Sequence, residues 1–193
     1  VAVCGVGSIG GLVASSLISA GKCNVSLIAR GRALKAIRRN GINVRTFEGD
    51  EYHFDISPTQ LFDSQSLLES TSPPPPPLDY ILVCTKSHQL PSITSSFRRL
   101  IGPNTVVVPL TNGLPFWFHP LISTDPDGAL SNAIPYDRVL GTVGMISGAV
   151  KSDYSWWETH WPSERNTLLI GEPDGARKKG SNERAEILAN LFR

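Results

Sequence analysis

Apolar positions in this chain fall into short unbroken runs separated by glycine-rich or polar turns, the rhythm of buried strands alternating with helices. Val1 to Cys4 is one such run and stops at Gly5. Ile9 to Ala20 follows in apolar and small residues at helix-compatible spacing until Gly21, so the pattern predicts a strand, a glycine turn and a helix. Asn24 to Ala29 reads as a second strand. Ala33 to Arg39 reads as a short basic helix ended by Asn40 and Gly41. Ile42 to Phe47 and Glu51 to Ile56, joined by Glu48-Gly49-Asp50, predict a β-hairpin inserted before the next unit.

Ser57 to Leu78 is polar and ends in the proline run Pro73 to Pro77. Consecutive prolines favour polyproline II and cannot feed a helix or a central strand, so this stretch reads as a linker within the fold. A surface spacer is preferred to a ligand for a proline-binding module, because the run is short. Tyr80 to Cys84 and Thr105 to Leu110 are all-apolar strands on either side of a predicted helix, Leu90 to Leu100. Strands apolar at every position are buried on both faces, which implies a parallel sheet. Pro115 to Ile122 is aromatic and proline-flanked, and Thr124 to Tyr136 reads as a loop. Val139 to Val150 reads as a strand or strand pair and Asn166 to Ile170 as a last strand. Gly171 to Asn182 is a polar turn, and Glu183 to Phe192 is a helix.

The first strand opens directly into Gly5-Val6-Gly7-Ser8-Ile9-Gly10, a GxGxxG. Each glycine has its own reason. Gly5 permits the tight turn, Gly7 lets backbone approach a pyrophosphate, and Gly10 lets helix and strand pack closely. The free N–H groups at the start of the helix, with its dipole, then face the phosphates. With a strand before, a helix after and a second strand beyond, the motif points to a dinucleotide. The fold class that follows is α/β, a Rossmann-like, doubly wound and mainly parallel sheet. The working expectation is one domain over residues 1–193, with a polyproline-containing insert at about 57–78.

Charge decides which dinucleotide to expect. The net charge is only +1, but residues 1–47 hold no Asp or Glu while Arg30, Arg32, Lys35, Arg38, Arg39 and Arg45 all lie there. An enzyme that uses NAD places a carboxylate at the end of the second strand to bind the ribose 2′-hydroxyl. This chain has Ala29-Arg30-Gly31-Arg32 instead. A guanidinium there can pair with the 2′-phosphate of NADP, with Arg30 the first choice and Arg32 the second. Lys35, Arg38 and Arg39 read as a solvated helix face. The basic residues are too few and too local for nucleic acid.

Cys4, Cys23 and Cys84 stand singly in apolar surroundings, without CxxC spacing, and read as buried, reduced thiols. No apolar run approaches the roughly 20 residues a membrane helix needs, and there is no signal-like start. The cytosol is therefore the default compartment. Val1 stands inside a strand with no initiator Met, so a trimmed N-terminus and a fragment of a longer protein are expected.

Ligands of an open parallel sheet sit beyond the carboxyl ends of its strands. Two strand ends carry polar residues: Thr85-Lys86-Ser87-His88 and Thr111-Asn112-Gly113. On residue type alone, a strand-end Lys such as Lys86 is more often a solvated side chain, and Asn112-Gly113 more often an ordinary turn, than a site. His88 and His160 have no visible carboxylate partner and read as structural or exposed. Trp156, Trp157 and Trp161 read as a packing cluster, local or against a domain not present, rather than a cofactor box.

Four ordered motifs together resemble the N-terminal NADP-binding domain of the ketopantoate reductase (2-dehydropantoate 2-reductase) family: the glycine loop, a basic residue after the second strand, Lys86 after a buried strand, and Asn112-Gly113. Thr111 to Phe118, Asp137-Arg138-Val139-Leu140-Gly141 and Ile170 to Gly175 are similar to one branch of it. The resemblance spans nearly the whole chain, although the proline run and Ser155 to Trp161 depart from it. It implies NADPH-dependent reduction of a 2-oxo acid, most plainly 2-dehydropantoate, as a step of pantothenate biosynthesis. It also implies that Lys86 contacts the cofactor and helps position substrate, and that Asn112 holds the nicotinamide or substrate end. In the family a helical C-terminal domain follows and supplies the general-acid lysine. That domain is absent here, so the isolated chain is expected to be inactive and to expose apolar surface; a homodimer through the absent domain is one partner option. The rivals are a stand-alone NADPH-binding or sensing module and a Rossmann-like domain with no ligand.

Overall fold

The computed structural model describes residues 1–67, 78–91, 99–113, 115–117, 125–173 and 182–193. Its strands in chain order are β1 (Ala2–Cys4), β2 (Ser26–Ala29), β3 (Ile42–Arg45), β4 (Glu51–Phe54), β5 (Leu61–Asp63), β6 (Tyr80–Val83) and β7 (Val106–Pro109), then β8 (Gly141–Met145), β9 (Gly148–Val150), β10 (Trp157–Thr159) and β11 (Thr167–Gly171). Five of them form one all-parallel sheet in the order β5-β2-β1-β6-β7. This is the Rossmann order: the chain moves outward from β1 on one side, then crosses back to continue on the other.

The unbroken apolar runs are explained by the two faces of this sheet. Val3, Leu27, Leu82 and Val108 pack on one side, and Ala2, Ile28, Ile81 and Val107 on the other. Both sides are covered, so neither parity of residue can be polar. The first face carries helices α1 (Ser8–Ala20) and α2 (Gly31–Asn40) together with the last helix, Glu183–Asn190. The second carries Leu90, Leu100, Phe116 and the short helix Ala129–Ala133. Gly21 ends α1 in the left-handed region, at φ 65°, where its N–H closes the last turn on Leu17 and Ile18.

A second sheet, β4-β3-β10-β9, stands against α1, and β8 pairs with β11 as a separate antiparallel ribbon. Two of the quoted motifs brace that ribbon and the last helix. Arg184 makes a two-pronged pair with the nearly buried carboxylate of Glu172 and also donates to the Asp137 carbonyl. Arg138 donates to the Gly102 carbonyl at 2.7 Å, and Val139 bridges to Val107 of the main sheet.

The structure corrects several expectations. Leu61–Asp63, inside the stretch read as a linker, is the β5 edge of the main sheet. A three-residue edge strand is too short to stand out beside the prolines that follow it. The predicted loop 124–136 contains the helix Ala129–Ala133, held at its start by Asp125, whose carboxylate accepts from Leu130 N, Ser131 N and Ser131 Oγ. The strand pair read at 139–150 exists, but its members join different sheets. Cys23 is only half-buried, because it sits in the turn between α1 and β2 rather than in the strand. The proline run lies outside the described residues, as do most of the predicted helix over 90–100, whose residues 90–91 and 99–100 are helical, and most of the polar turn. Among the described residues no helix is long and apolar enough to cross a membrane, and no group of His, Cys, Asp or Glu could hold a metal.

Candidate cofactor site

The chain leaves β1 through Gly5, at φ 90°, whose N–H donates to Ile28 O of β2 at 3.0 Å. A Cβ on Gly5 would lie 2.7 Å from Thr85 Cγ2, and one on Gly10 would lie 2.0 Å from the Gly5 carbonyl oxygen. Neither approach is compatible with a larger residue. Gly7 is different: nothing lies within 4 Å of the position its Cβ would take. Its backbone faces open space at the start of α1, where no side chain caps the helix and no acidic residue stands in the first turn. The three glycines thus divide their work into turn, cradle and close packing, with the uncapped N–H groups directed at the cradle.

This loop forms one wall of a cleft of about 460 Å³ at the carboxyl ends of β1, β2 and β6, the point where the strand order reverses. Arg30, Ser64, Thr85, Lys86, His88, Gln89 and Tyr154 are among the polar residues lining the rest of it, and among the described residues no Asp or Glu does. The positive end of α1, Arg30 and Lys86 therefore act on any ligand without an opposing carboxylate at the surface of the cleft, a setting for a polyanion. Thr85 Oγ1 is buried here without a hydrogen-bond partner. A buried hydroxyl left in that state is costly, and at a concave site it marks where a ligand atom fits.

Cys4 and Cys84 form the floor. Burial pushes the Cys84 thiol up to about 12, and burial, reinforced by the neighbouring Cys84, raises Cys4 as well. Both stay neutral at physiological pH, which suits a floor and not a nucleophile. A larger cavity, about 530 Å³, lies on the opposite flank of α1 between Leu12 and Ser19 on one side and Tyr52 and Phe54 on the other. It lacks the glycine loop and any converging set of cations.

Of the residues singled out from the sequence, Gly5, Val6, Gly7, Ser8, Ile9, Arg30 and Lys86 line the cleft, while Gly10 lies beneath it. Arg32 and Asn112 are exposed and do not line it. Sequence reasoning placed Thr85 at the β6 strand end without giving it a role of its own, and it passed over Ser64 and Tyr154. Trp157 packs as expected, fully buried in β10, but it also donates from Nε1 to the Gly7 carbonyl at 2.9 Å, a contact that sequence reasoning did not anticipate. One clue was available: Gly11 follows Gly10, and a Cβ there would lie 1.9 Å from that indole nitrogen.

A parallel sheet in this order, with a glycine loop at its switch point, defines a Rossmann-type α/β protein. Residues 1–168 match the family model described as ketopantoate reductase PanE/ApbA. The chain belongs to the ketopantoate reductase family. It is 33% identical over 199 residues to the 2-dehydropantoate 2-reductase of Mesorhizobium japonicum, covering 98% of this chain and 55% of that protein. A crystal structure from Ralstonia solanacearum MolK2, provisionally named a ketopantoate reductase, superposes with a TM-score of 0.78 at 27% identity and covers 99% of this chain and 56% of its own. D-mandelate dehydrogenase, solved with NADH and anilino(oxo)acetate, shares the fold with a TM-score of 0.73 at 17% identity, covering 100% of this chain and 54% of that one. The chain spans about half the length of the relatives it matches.

Proposed function

We propose that this chain binds NADPH in the cleft beyond β1, β2 and β6, and that the enzyme it serves reduces the ketone of a 2-oxo acid, such as 2-dehydropantoate, to the 2-hydroxy acid. The observation that carries this reading is the pairing of an open Gly7 cradle with Arg30 in a cleft that no carboxylate lines among the described residues. The loop residues Gly5 to Gly10 receive the pyrophosphate, and Arg30, with Arg32 beside it, receives the 2′-phosphate. Lys86 holds the cofactor from the β6 end and helps place substrate, while Asn112, outside the cofactor cleft, serves the substrate end. When bound, NADPH supplies the hydride; this half of the enzyme orients it and keeps the floor free of competing charge. The proton for the new hydroxyl comes from a general acid in the part of the relatives that this chain does not match.

A second reading is NADH, since D-mandelate dehydrogenase holds NADH on this fold. Titration with NADPH and NADH, following tryptophan fluorescence, separates the two. Arg30→Ala is expected to remove most of a preference for NADPH and to leave NADH affinity within about twofold, a loss of one charge-assisted contact worth roughly 1.5–3 kcal/mol. Equal affinity for both cofactors in the unaltered chain would overturn the NADPH assignment. Absence of binding by a folded chain would overturn the cofactor site itself and favour a ligand-free structural domain.

A further inference from the structure

We propose that Trp157 is a positioning residue of the phosphate loop: its indole N–H holds the Gly7–Ser8 peptide in the orientation that offers the Ser8 N–H to the cofactor pyrophosphate. The inference rests on the cofactor reading above and concerns a residue 150 positions away from the loop it controls.

The Gly7 carbonyl accepts two hydrogen bonds, from Gly11 N at 2.9 Å, the first helical bond of α1, and from Trp157 Nε1 at 2.9 Å. With both lone pairs engaged, that carbonyl is fixed. In a trans peptide the N–H of the next residue points the opposite way, so holding Gly7 O toward the helix and the second sheet turns Ser8 N–H out of the helix end. The Gly7 Cβ position itself is open, with nothing within 4 Å of it. The other glycines of the loop are wedged by packing; Gly7, with nothing around it, needs this tether to be preorganised.

The surrounding packing is arranged to admit the indole. Gly11 has no side chain where Trp157 passes, and a Cβ on Gly148 of β9 would lie only 2.4 Å from Leu12 Cδ1 of α1 and 2.6 Å from the Glu158 carbonyl oxygen. Helix α1 is thus interlocked with the β9–β10 hairpin at two glycines. The same hairpin reaches the cleft itself. Val150 and Tyr154 line it, and Tyr154 is the one non-glycine residue at positive φ, 58°, among those described. Its N–H is held by Lys151 O at 2.8 Å, and its ring stands 6.0 Å from that of Trp157. A non-glycine backbone held in that sparsely populated conformation makes Tyr154 a locally constrained point of the hairpin beside the cleft.

The test compares NADP⁺, which carries a pyrophosphate, with adenosine 2′-monophosphate, which does not, by calorimetric titration of the 193-residue chain. Trp157→Phe is the first variant. Benzothienylalanine at position 157, which keeps the bicyclic shape and lacks only the N–H donor, is the second and covers the case in which Phe disturbs folding. In either variant the Kd for NADP⁺ is expected to rise about tenfold while that for adenosine 2′-monophosphate stays within twofold. Unchanged affinity for both ligands would overturn the tether, and so would a parallel loss for both, which denotes general loosening. If the unaltered chain binds neither ligand, the cofactor reading has failed first and the tether falls with it.

Discussion

Two strand ends of the same sheet carry the polar residues that chain pattern singles out, and the fold treats them differently. Beyond β6, Thr85 and Lys86 line the cleft; beyond β7, Thr111 is half-buried and Asn112-Gly113 forms an exposed bend, with Gly113 at φ 107°. Both stand at carboxyl ends. The difference is adjacency: β6 is hydrogen-bonded to β1, so its end meets the glycine loop, whereas β7 lies one strand further out. A carboxyl end is therefore a necessary condition for a place in this cleft, and the topological switch point decides the rest.

The largest expected effect tests the cleft that makes the β6 end matter. Gly7 has φ −84° in extended backbone, so Gly7→Val is tolerated by the chain, yet its side chain fills the cradle. NADPH affinity is expected to fall by about a hundredfold, or ~2.7 kcal/mol, with the melting temperature within a few degrees. A large drop in melting temperature would show that Gly7 is a packing residue like Gly10. Next come the two strand ends themselves. Lys86→Ala is expected to weaken NADPH about tenfold, ~1.4 kcal/mol, and Asn112→Ala to change it by less than twofold, both read by fluorescence titration. Equal losses would erase the distinction between β6 and β7.

The smallest effect concerns the floor beneath the β6 end. In the folded chain the Cys84 thiol ionises only at about 12, against 9.0 for a free thiol, whereas the unfolded chain gives up that proton near the free value. Stability from this source is complete below about pH 9 and is lost as pH rises toward the folded value. Thermal melts at about pH 8 and pH 10.5 are expected to show a decline that is shallower in Cys84→Ala, though not absent, because Cys4 is raised in the same direction. Identical slopes would mean that the thiol is reached by solvent.

Much of the central sheet was legible because its signals are local. A run such as Tyr80-Ile81-Leu82-Val83 announces its own burial, and GxGxxG announces a turn into a helix that only glycine can make. The β5 edge was not legible, since three residues, two of them apolar and only Leu61 buried, do not form a pattern. Nor was the division of Val139 to Val150 between two sheets, because strand propensity carries no information about partners. Asp125 was passed over for a related reason: a buried carboxylate is recognisable as a cap only once the helix it caps is known.

What the sequence determined by itself is what neighbouring residues can settle among themselves: the alternation of strands and helices, the glycine loop, and the basic end of β2 where a carboxylate might have stood. Tertiary structure alone decided which strand ends meet. It also brought Trp157 through the gap at Gly11 to the Gly7 carbonyl. The physical reason is range. Backbone preference and solvent exclusion act over a few residues and leave a trace in local spacing, whereas a hydrogen bond between positions 7 and 157 exists only after two sheets and a helix have packed.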